Sequence, residues 1–331
     1  MGDNYNPPFR ITEEITNLVI EIGELVGSVT RAYGLNSNPI LRRENRIKTI
    51  HSSLAIEQNT LTLEQVSDVI EGKRVLGPPE DIREVKNAYE AYELISQFDP
   101  YSLDNLLKAH KIMMDGLTKD AGRFRSSNVG VYSGGKLIHA GTPANYVPEL
   151  MGELFEWLKK SELHPLIKSC VFHYEFEFIH PFSDGNGRTG RLWQTLILKN
   201  WKEFFQWLPV ESLIHEKQEG YYEALNASNT EGESTSFVFF MLNIIRDALR
   251  DLSLGQERYV GINGGLNVGI NEEKILKLLE NNSKLAAEKI AAKLGLSKRQ
   301  VERLISQLKN KGLLIRHGSS KAGYWEVRKY K

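Results

Sequence analysis

"HPFSDGNGRTGR", residues 180–191, places one histidine, one aspartate, three glycines and two arginines within twelve positions. Apolar residues recur at helical spacing on both sides, in "LIKSCVFHYEFEFI" before it and "RLWQTLILKN" after it. The His180-Pro181 step disfavours α geometry at His180, so the first helix should end about there, and the stretch should be a loop closing on the N-terminus of a second helix. Unpaired N–H groups and the helix dipole make such a terminus attractive to anions, and Gly185 and Gly187 allow backbone close to a phosphate. Arg188 and Arg191, three apart at the helix start, put two guanidinium groups on one face, as the oxygens of a polyphosphate require. Asp184 would repel such a ligand unless a cation lay between them, which is the task of a magnesium ion bridging a carboxylate and two phosphates. His180, at the other end of the loop, is placed to take a proton from an incoming hydroxyl. His173, inside the apolar helix, reads as structural.

The chain around this loop has 331 residues, long enough for about two domains of ordinary size. Hydrophobic residues at 41%, charged residues at 25% and only 11 prolines exclude fibrous and disordered classes. Cys170 is the single cysteine, so no intramolecular disulfide forms, and its apolar surroundings read as buried helix in a reducing compartment. The first ten residues carry acid and proline rather than a basic start and an apolar run, and no stretch is apolar over the roughly 18 residues of a membrane span, so the expected location is cytoplasmic, with no membrane partner. The formal net charge is zero, but from Ile270 onward 15 Lys/Arg face 6 Asp/Glu. That excess of +9, balanced by −9 before it, hints at nucleic-acid contact.

Helical periodicity dominates the first 255 residues, over 15–29, 82–98, 103–117, 147–158, 166–178, 190–201 and 237–252. "SSNVGVYSGGKLIHAGTP", 126–143, interrupts it and reads as a β-hairpin about the Gly134-Gly135 turn. "YVGINGGLNVGINEE", 259–273, reads as a linker, because four glycines break the pattern. Beyond Glu272 come two short amphipathic helices, a third starting at a Ser297 cap, and two apolar runs about a polar turn. This resembles a winged helix–turn–helix, with Lys298, Arg299, Gln300 and Arg303 on the early exposed face of the recognition helix and duplex DNA as the expected partner.

"HPFSDGNGRTGR" resembles the signature of Fic-domain proteins, His-x-Phe-x-Asp/Glu-Gly-Asn-Gly-Arg-x-x-Arg, with every fixed position filled. The resemblance extends over most of the chain and implies a mainly α fold: a Fic-type helical core with a β-hairpin flap, plus a C-terminal winged helix–turn–helix domain. The expected divisions are 1–102, a helical region carrying an inhibitory helix; 103–258, the catalytic core; 259–271, the linker; and 272–331, the winged helix. The resemblance implies transfer of AMP from ATP to a Ser, Thr or Tyr of a target protein, or of the chain itself, held at the flap over 128–140 by strand addition. In that scheme His180 deprotonates the hydroxyl, Asp184 holds magnesium, and Phe182 anchors the loop. Asn186 with the backbone of Gly185 and Gly187 cradles the α-phosphate, Arg188 and Arg191 take the β- and γ-phosphates, and Tyr222 and Asn226 line an adenine pocket.

"HSSLAIEQN", 51–59, resembles the family's inhibitory motif, Ser/Thr-x-x-x-Glu-Gly/Asn, with Ser53 and Glu57 in register. In that motif the glutamate pairs with the second arginine, here Arg191, and denies it to the γ-phosphate. Gln58 departs from the pattern, and Asn59 is expected to take over the helix-ending role, with a new helix starting at Thr62 through a capping box to Gln65. Two alternatives stay open: a DNA-binding regulator whose Fic domain senses nucleotide without turnover, and a Fic-fold enzyme that transfers another phosphate-type group or removes AMP. A second copy of the chain, as a homodimer, also stays open as a partner.

Overall fold

The computed structural model describes residues 5–32, 39–133, 136–263, 270–294, 296–310, 312–318 and 323–328. The chain divides into two compact units, Met1–Arg250 and Asp251–Lys331. Its elements in order are α1 (Glu13–Ala32), α2 (Pro39–Ile56), α3 (Leu63–Ile70), α4 (Pro79–Glu93), α5 (Leu103–Met113), β1 (Gly130–Ser133), β2 (Lys136–Ala140), α6 (Val147–Lys160), α7 (Pro165–Ile179), α8 (Asn186–Trp201), α9 (Val210–Glu216), α10 (Gln218–Glu231), α11 (Thr235–Asn263), α12 (Ile270–Asn281), α13 (Ala287–Leu294), α14 (Lys298–Asn310), β3 (Leu314–His317) and β4 (Tyr324–Val327). Among the described residues the only sheets are two antiparallel pairs, β1 with β2 and β3 with β4, so the fold is mainly α.

The first unit is built on α7. That helix is apolar on almost every side, as a helix must be when neighbours cover it all round, and Leu166, Cys170, Val171, Phe172 and Phe176 are fully enclosed. Burial drives the Cys170 thiol up to about 12, so this cysteine is an inert core residue. α8 packs along α7 and is itself touched by α2 and α5, which brings the N-terminal region against the first turns of α8. Trp193 anchors that contact, fully buried and donating its indole N–H to the Pro100 carbonyl at 3.1 Å.

Local chemistry sets the ends of the helices near the site. Thr62 and Gln65 form the expected capping box at α3: each side chain takes the other's backbone N–H. The end of α2 differs from expectation. Gln58, not Asn59, adopts the left-handed conformation, with φ 70°. The Gln58 N–H donates to Ala55 at 3.0 Å and the Asn59 N–H to Leu54 at 3.1 Å, the paired bonds of a Schellman turn. Those two bonds satisfy helix-end carbonyls and offset the cost of placing a side chain there. Asn59 is turned to another use, described below.

The hairpin is present as β1 and β2, with Gly130 opposite Ala140 and a bulge between Val131 and Tyr132. Its expected Gly134-Gly135 turn lies outside the described residues. Parts of the expected linker over 259–271 are helical: α11 continues through Gly261 to Asn263, and α12 begins at Ile270. Isolated glycines cost a helix only about 1 kcal/mol each, too little to end one by themselves. Residues 264–269 lie outside the described residues.

The second unit is a winged helix. Ile275, Leu279, Ile290, Val301, Leu308 and Leu314 form its core, drawn from α12, α13, α14 and β3. The turn of the wing, residues 319–322, lies outside the described residues. Among the described residues no helix is long and apolar enough to cross a membrane.

Candidate functional site

The loop between α7 and α8 is held by its own side chains, by one histidine from α5 and by Arg125. His180 ends α7 in the left-handed conformation, φ 52° and ψ 63°, with its N–H bonded to Phe176. Phe182 plunges into the core, fully buried. Asn186 grips Phe182 twice: its Oδ1 accepts the Phe182 N–H and its Nδ2 donates to the Phe182 carbonyl, both at 2.9 Å. The Asn186 amide therefore shapes the loop, and α8 already begins at that residue, several residues earlier than the apolar pattern alone suggests.

His110 stacks on Phe182 with ring centroids 3.6 Å apart. Gly122 donates its N–H to His110 Nδ1 at 2.9 Å, which fixes the tautomer: Nε2 carries the proton and donates to the Asp184 carbonyl at 3.0 Å. Burial lowers the His110 pKa to about 4, so the ring is neutral. Gly185 caps α8 with φ 83°, and a Cβ there would meet Met114 Sδ at 2.6 Å. The glycine serves close packing inside the loop.

Each motif arginine is held by a carboxylate from the N-terminal region. Arg191 is buried; its Nε donates to Ser53 Oγ at 3.0 Å, and its Nη2 donates to the Ser53 carbonyl at 2.9 Å and to Glu57 Oε1 at 2.7 Å. Arg188, three residues earlier, turns elsewhere, to Asp184 Oδ1 at 2.7 Å and to Glu84 of α4 through Nη1. No local pattern in the sequence marks Glu84. Its second oxygen accepts from Asn59 Nδ2 at 2.7 Å, so the residue after the Schellman turn ties Glu84 to the end of α2. Glu57 lies directly over the start of α8: a Cβ on Gly187 would fall 2.2 Å from Glu57 Oε1 and 2.9 Å from Arg191 Nη1. A carboxylate thus sits where the helix dipole and the guanidinium group together favour an anion. Burial opposes the charge on Arg191, and Glu57 overrides it, raising the Arg191 pKa.

His180 Nδ1 faces Glu177, 3.4 Å from its carbonyl and 3.9 Å from its carboxylate. Glu177 is half-buried, with its Oε1 shut off from water, and burial pushes its pKa up to about 8, with Arg191 opposing the rise and Glu57 adding to it. His173 is structural: Nδ1 meets Gln194 at 2.7 Å and Nε2 meets the Tyr221 hydroxyl at 3.1 Å, with its pKa lowered by burial to about 3. The carboxylate of Asp184 is 58% exposed, which leaves it open toward solvent. On α10, Tyr222 is exposed and Asn226 half-buried, one turn apart and so on the same face of the helix.

In the C-terminal unit Lys298, Arg299, Gln300 and Arg303 are all exposed on α14. Two of them have local duties. Lys298 pairs with Glu288 of α13, and Gln300 forms a capping box with Ser297, accepting the Ser297 N–H at 2.9 Å.

Residues 100–198 match the Fic/DOC family and residues 271–324 match an HTH domain. The chain is 28% identical over 215 residues to the protein adenylyltransferase Fic of Nematostella vectensis, covering 60% of this chain and 47% of that one. It is 29% identical over 216 residues to the protein adenylyltransferase fic-1 of Caenorhabditis elegans, covering 61% and 40%. The chain thus spans less than half the length of these curated relatives. The crystal structure of a Fic family protein from Desulfovibrio desulfuricans G20 matches along nearly the whole length: 44% identity, a TM-score of 0.76, and 98% of both chains covered. A fragment of Fic-1 from C. elegans shares the fold with a TM-score of 0.57 at 21% identity. A loop closed by Asn186 on a buried Phe182, with Arg191 beside Gly187 at the start of α8, in a chain matched over 98% of its length at 44% identity by a Fic structure, places this chain in the Fic/DOC family.

Proposed function

We propose that this chain is a self-inhibited, magnesium-dependent protein adenylyltransferase. A Ser, Thr or Tyr hydroxyl, on a target protein or on the chain itself, attacks the α-phosphorus of ATP. The oxygen–phosphorus bond forms, the bond from the α-phosphorus to the bridging oxygen breaks, pyrophosphate leaves, and the hydroxyl proton passes to His180. With Nδ1 directed at Glu177, a neutral His180 ring keeps its proton there, which makes Nε2 the basic nitrogen. Asp184 would hold the magnesium ion: one exposed carboxylate suits a cation that takes its other ligands from phosphates and water. The metal, when bound, offsets phosphate charge.

The observation that carries the self-inhibited reading is the Glu57 carboxylate over Gly187, bonded to Arg191. A triphosphate cannot use that seat while Glu57 fills it, so its γ-phosphate settles elsewhere and the α-phosphate is turned from the in-line geometry that transfer requires. The relatives named as adenylyltransferases support the choice of AMP as the group moved. ATP labelled separately at the α and γ positions tests it. Retained α-label on protein means AMP transfer, retained γ-label means phosphate transfer, and nucleotide binding with neither label means a sensor.

The C-terminal unit supports duplex DNA as a second partner, through its HTH match and the exposed Arg299 and Arg303 on α14.

A further inference from the structure

Arg125 makes an unusual set of contacts for a buried arginine. Its residue is only 3% exposed. Its Nε donates to the His180 carbonyl at 2.6 Å, Nη1 to the Ser127 carbonyl at 2.9 Å, and Nη2 to the carbonyls of Ile179, at 3.2 Å, and Thr142. Its own N–H donates to Pro181 at 3.0 Å. Four carbonyls and no carboxylate receive the side chain in these bonds. Two of them, Ile179 and His180, are at the C-terminal end of α7, where the helix dipole favours a cation. The other two flank the hairpin: Ser127 just before β1 and Thr142 just after β2.

His180 needs such support. A non-glycine residue in the left-handed region costs on the order of 1–3 kcal/mol and persists only where its surroundings over-determine it. The backbone N–H of His180 is fixed by Phe176 and its carbonyl by Arg125, so the two ends of the residue are held by different elements. The rigid guanidinium fork then carries the same constraint to both feet of the hairpin. Gly141 lets the fork approach: a Cβ there would lie 3.3 Å from Arg125 Nη2 and 3.1 Å from Val129 Cγ2.

We infer that Arg125 is a positioning residue that registers the flap against the catalytic base. The inference rests on the transferase reading, with a target strand added at the flap. The flap sets where the target hydroxyl arrives, α7 sets where the His180 ring stands, and Arg125 is bonded to the end of α7 and to both feet of the flap. Attack by water on the α-phosphorus, which releases AMP and pyrophosphate, needs no flap.

The test uses the full chain with Glu57→Gly as the active background, adding Arg125→Lys or Arg125→Gln. AMP attached to protein and AMP released to water are measured in the same reaction, with ATP affinity and melting temperature alongside. Misplacing a reacting group by about 1 Å costs about a hundredfold in rate. The ratio of attached to released AMP should therefore fall by at least about tenfold in the Lys variant, with ATP affinity held within about twofold. Lysine keeps the charge and the length, so it carries the test even where Gln fails to fold. An unchanged ratio, whether both products fall together or neither does, overturns the inference about Arg125 alone. A Glu57→Gly background that attaches no AMP refutes the transferase reading, and the Arg125 inference falls with it.

Discussion

Glu57 Oε1 stands 2.7 Å from Arg191 Nη2, 134 residues away in the chain, and fills the space above Gly187 at the start of α8. The contact is charge-assisted, partly shielded from water and backed by Ser53, which takes two further bonds from the same guanidinium group. Hydrogen bonds to charged groups contribute on the order of 1.5–3 kcal/mol each. A nucleotide must displace this contact to use Arg191.

His180 and Asp184 should separate by what their loss affects. His180→Ala is expected to abolish AMP transfer while ATP affinity survives, because in the proposed reaction the base acts on the hydroxyl and other groups hold the phosphates. Asp184→Ala should lose the magnesium dependence of ATP binding together with turnover. Calorimetric titration with and without magnesium reads both; full transfer by the His180 variant, or activity that persists in excess chelator, would contradict these roles.

Arg188 predicts a second, smaller brake. Glu57→Gly frees Arg191 but leaves Arg188 paired with Glu84. Adding Glu84→Gln to Glu57→Gly should tighten ATP binding further, by up to about tenfold if one charge-assisted contact is released. Equal ATP affinities in the single and double variants would mean that Glu84 only braces α4.

Glu177 should shape the pH dependence of stability. A carboxyl raised to about 8 by burial contributes stability that is complete below about pH 4.5 and is lost as pH rises through 8. Glu175, pushed up to about 7 by burial, acts with the same sign. His110 and His173 are depressed, so their contribution is complete above about pH 6.5 and is lost as pH falls through about 4 and about 3. Above about pH 6.5 the carboxyls therefore dominate among these groups, Glu175 only to about pH 7 and Glu177 to about pH 8, and the melting temperature should fall across that window, at up to about 1 kcal/mol of stability per pH unit for each carboxyl still titrating. Glu177→Gln should flatten the fall; an unaltered slope in thermal melts would remove Glu177 from the account.

Much of the site is legible in the sequence because its turns are made by residues whose chemistry is local. Proline after His180 and the Thr62/Gln65 pair each mark a helix end that the structure contains. The resemblance of 51–59 to the family's inhibitory motif likewise points to Ser53 and Glu57, the pair that meets Arg191. What escapes is long-range. Glu84 reaches Arg188 across 104 residues, His110 reaches Asp184 across 74, and Arg125 reaches His180 across 55, and no local pattern distinguishes these side chains from surface or core neighbours. Gln58 escapes for another reason: the left-handed position at the end of α2 is fixed by the two Schellman bonds, and glutamine occupies it against its intrinsic preference.

The C-terminal unit should bind duplex DNA through charge. Lys298 is already paired with Glu288, so Arg299 and Arg303 are expected to contribute more than Lys298. Arg299→Ala with Arg303→Ala should weaken binding at low salt and make the slope of log affinity against log salt shallower by about two, since each neutralised phosphate releases counterions. Full-length chain that shows no binding to any duplex at low salt would exclude DNA as a partner.

Incorporation of α-labelled phosphate from ATP, compared between the wild-type chain and Glu57→Gly, tests whether Glu57 holds the nucleotide site in an unproductive form, as proposed. Releasing a contact of about 1.5–3 kcal/mol should raise protein-bound α-label roughly ten- to a hundredfold, on the chain itself or on a target in lysate, and Arg191→Ala should cancel most of the gain. Incorporation by Glu57→Gly at the wild-type level, with intact ATP binding and the target present, would contradict the account.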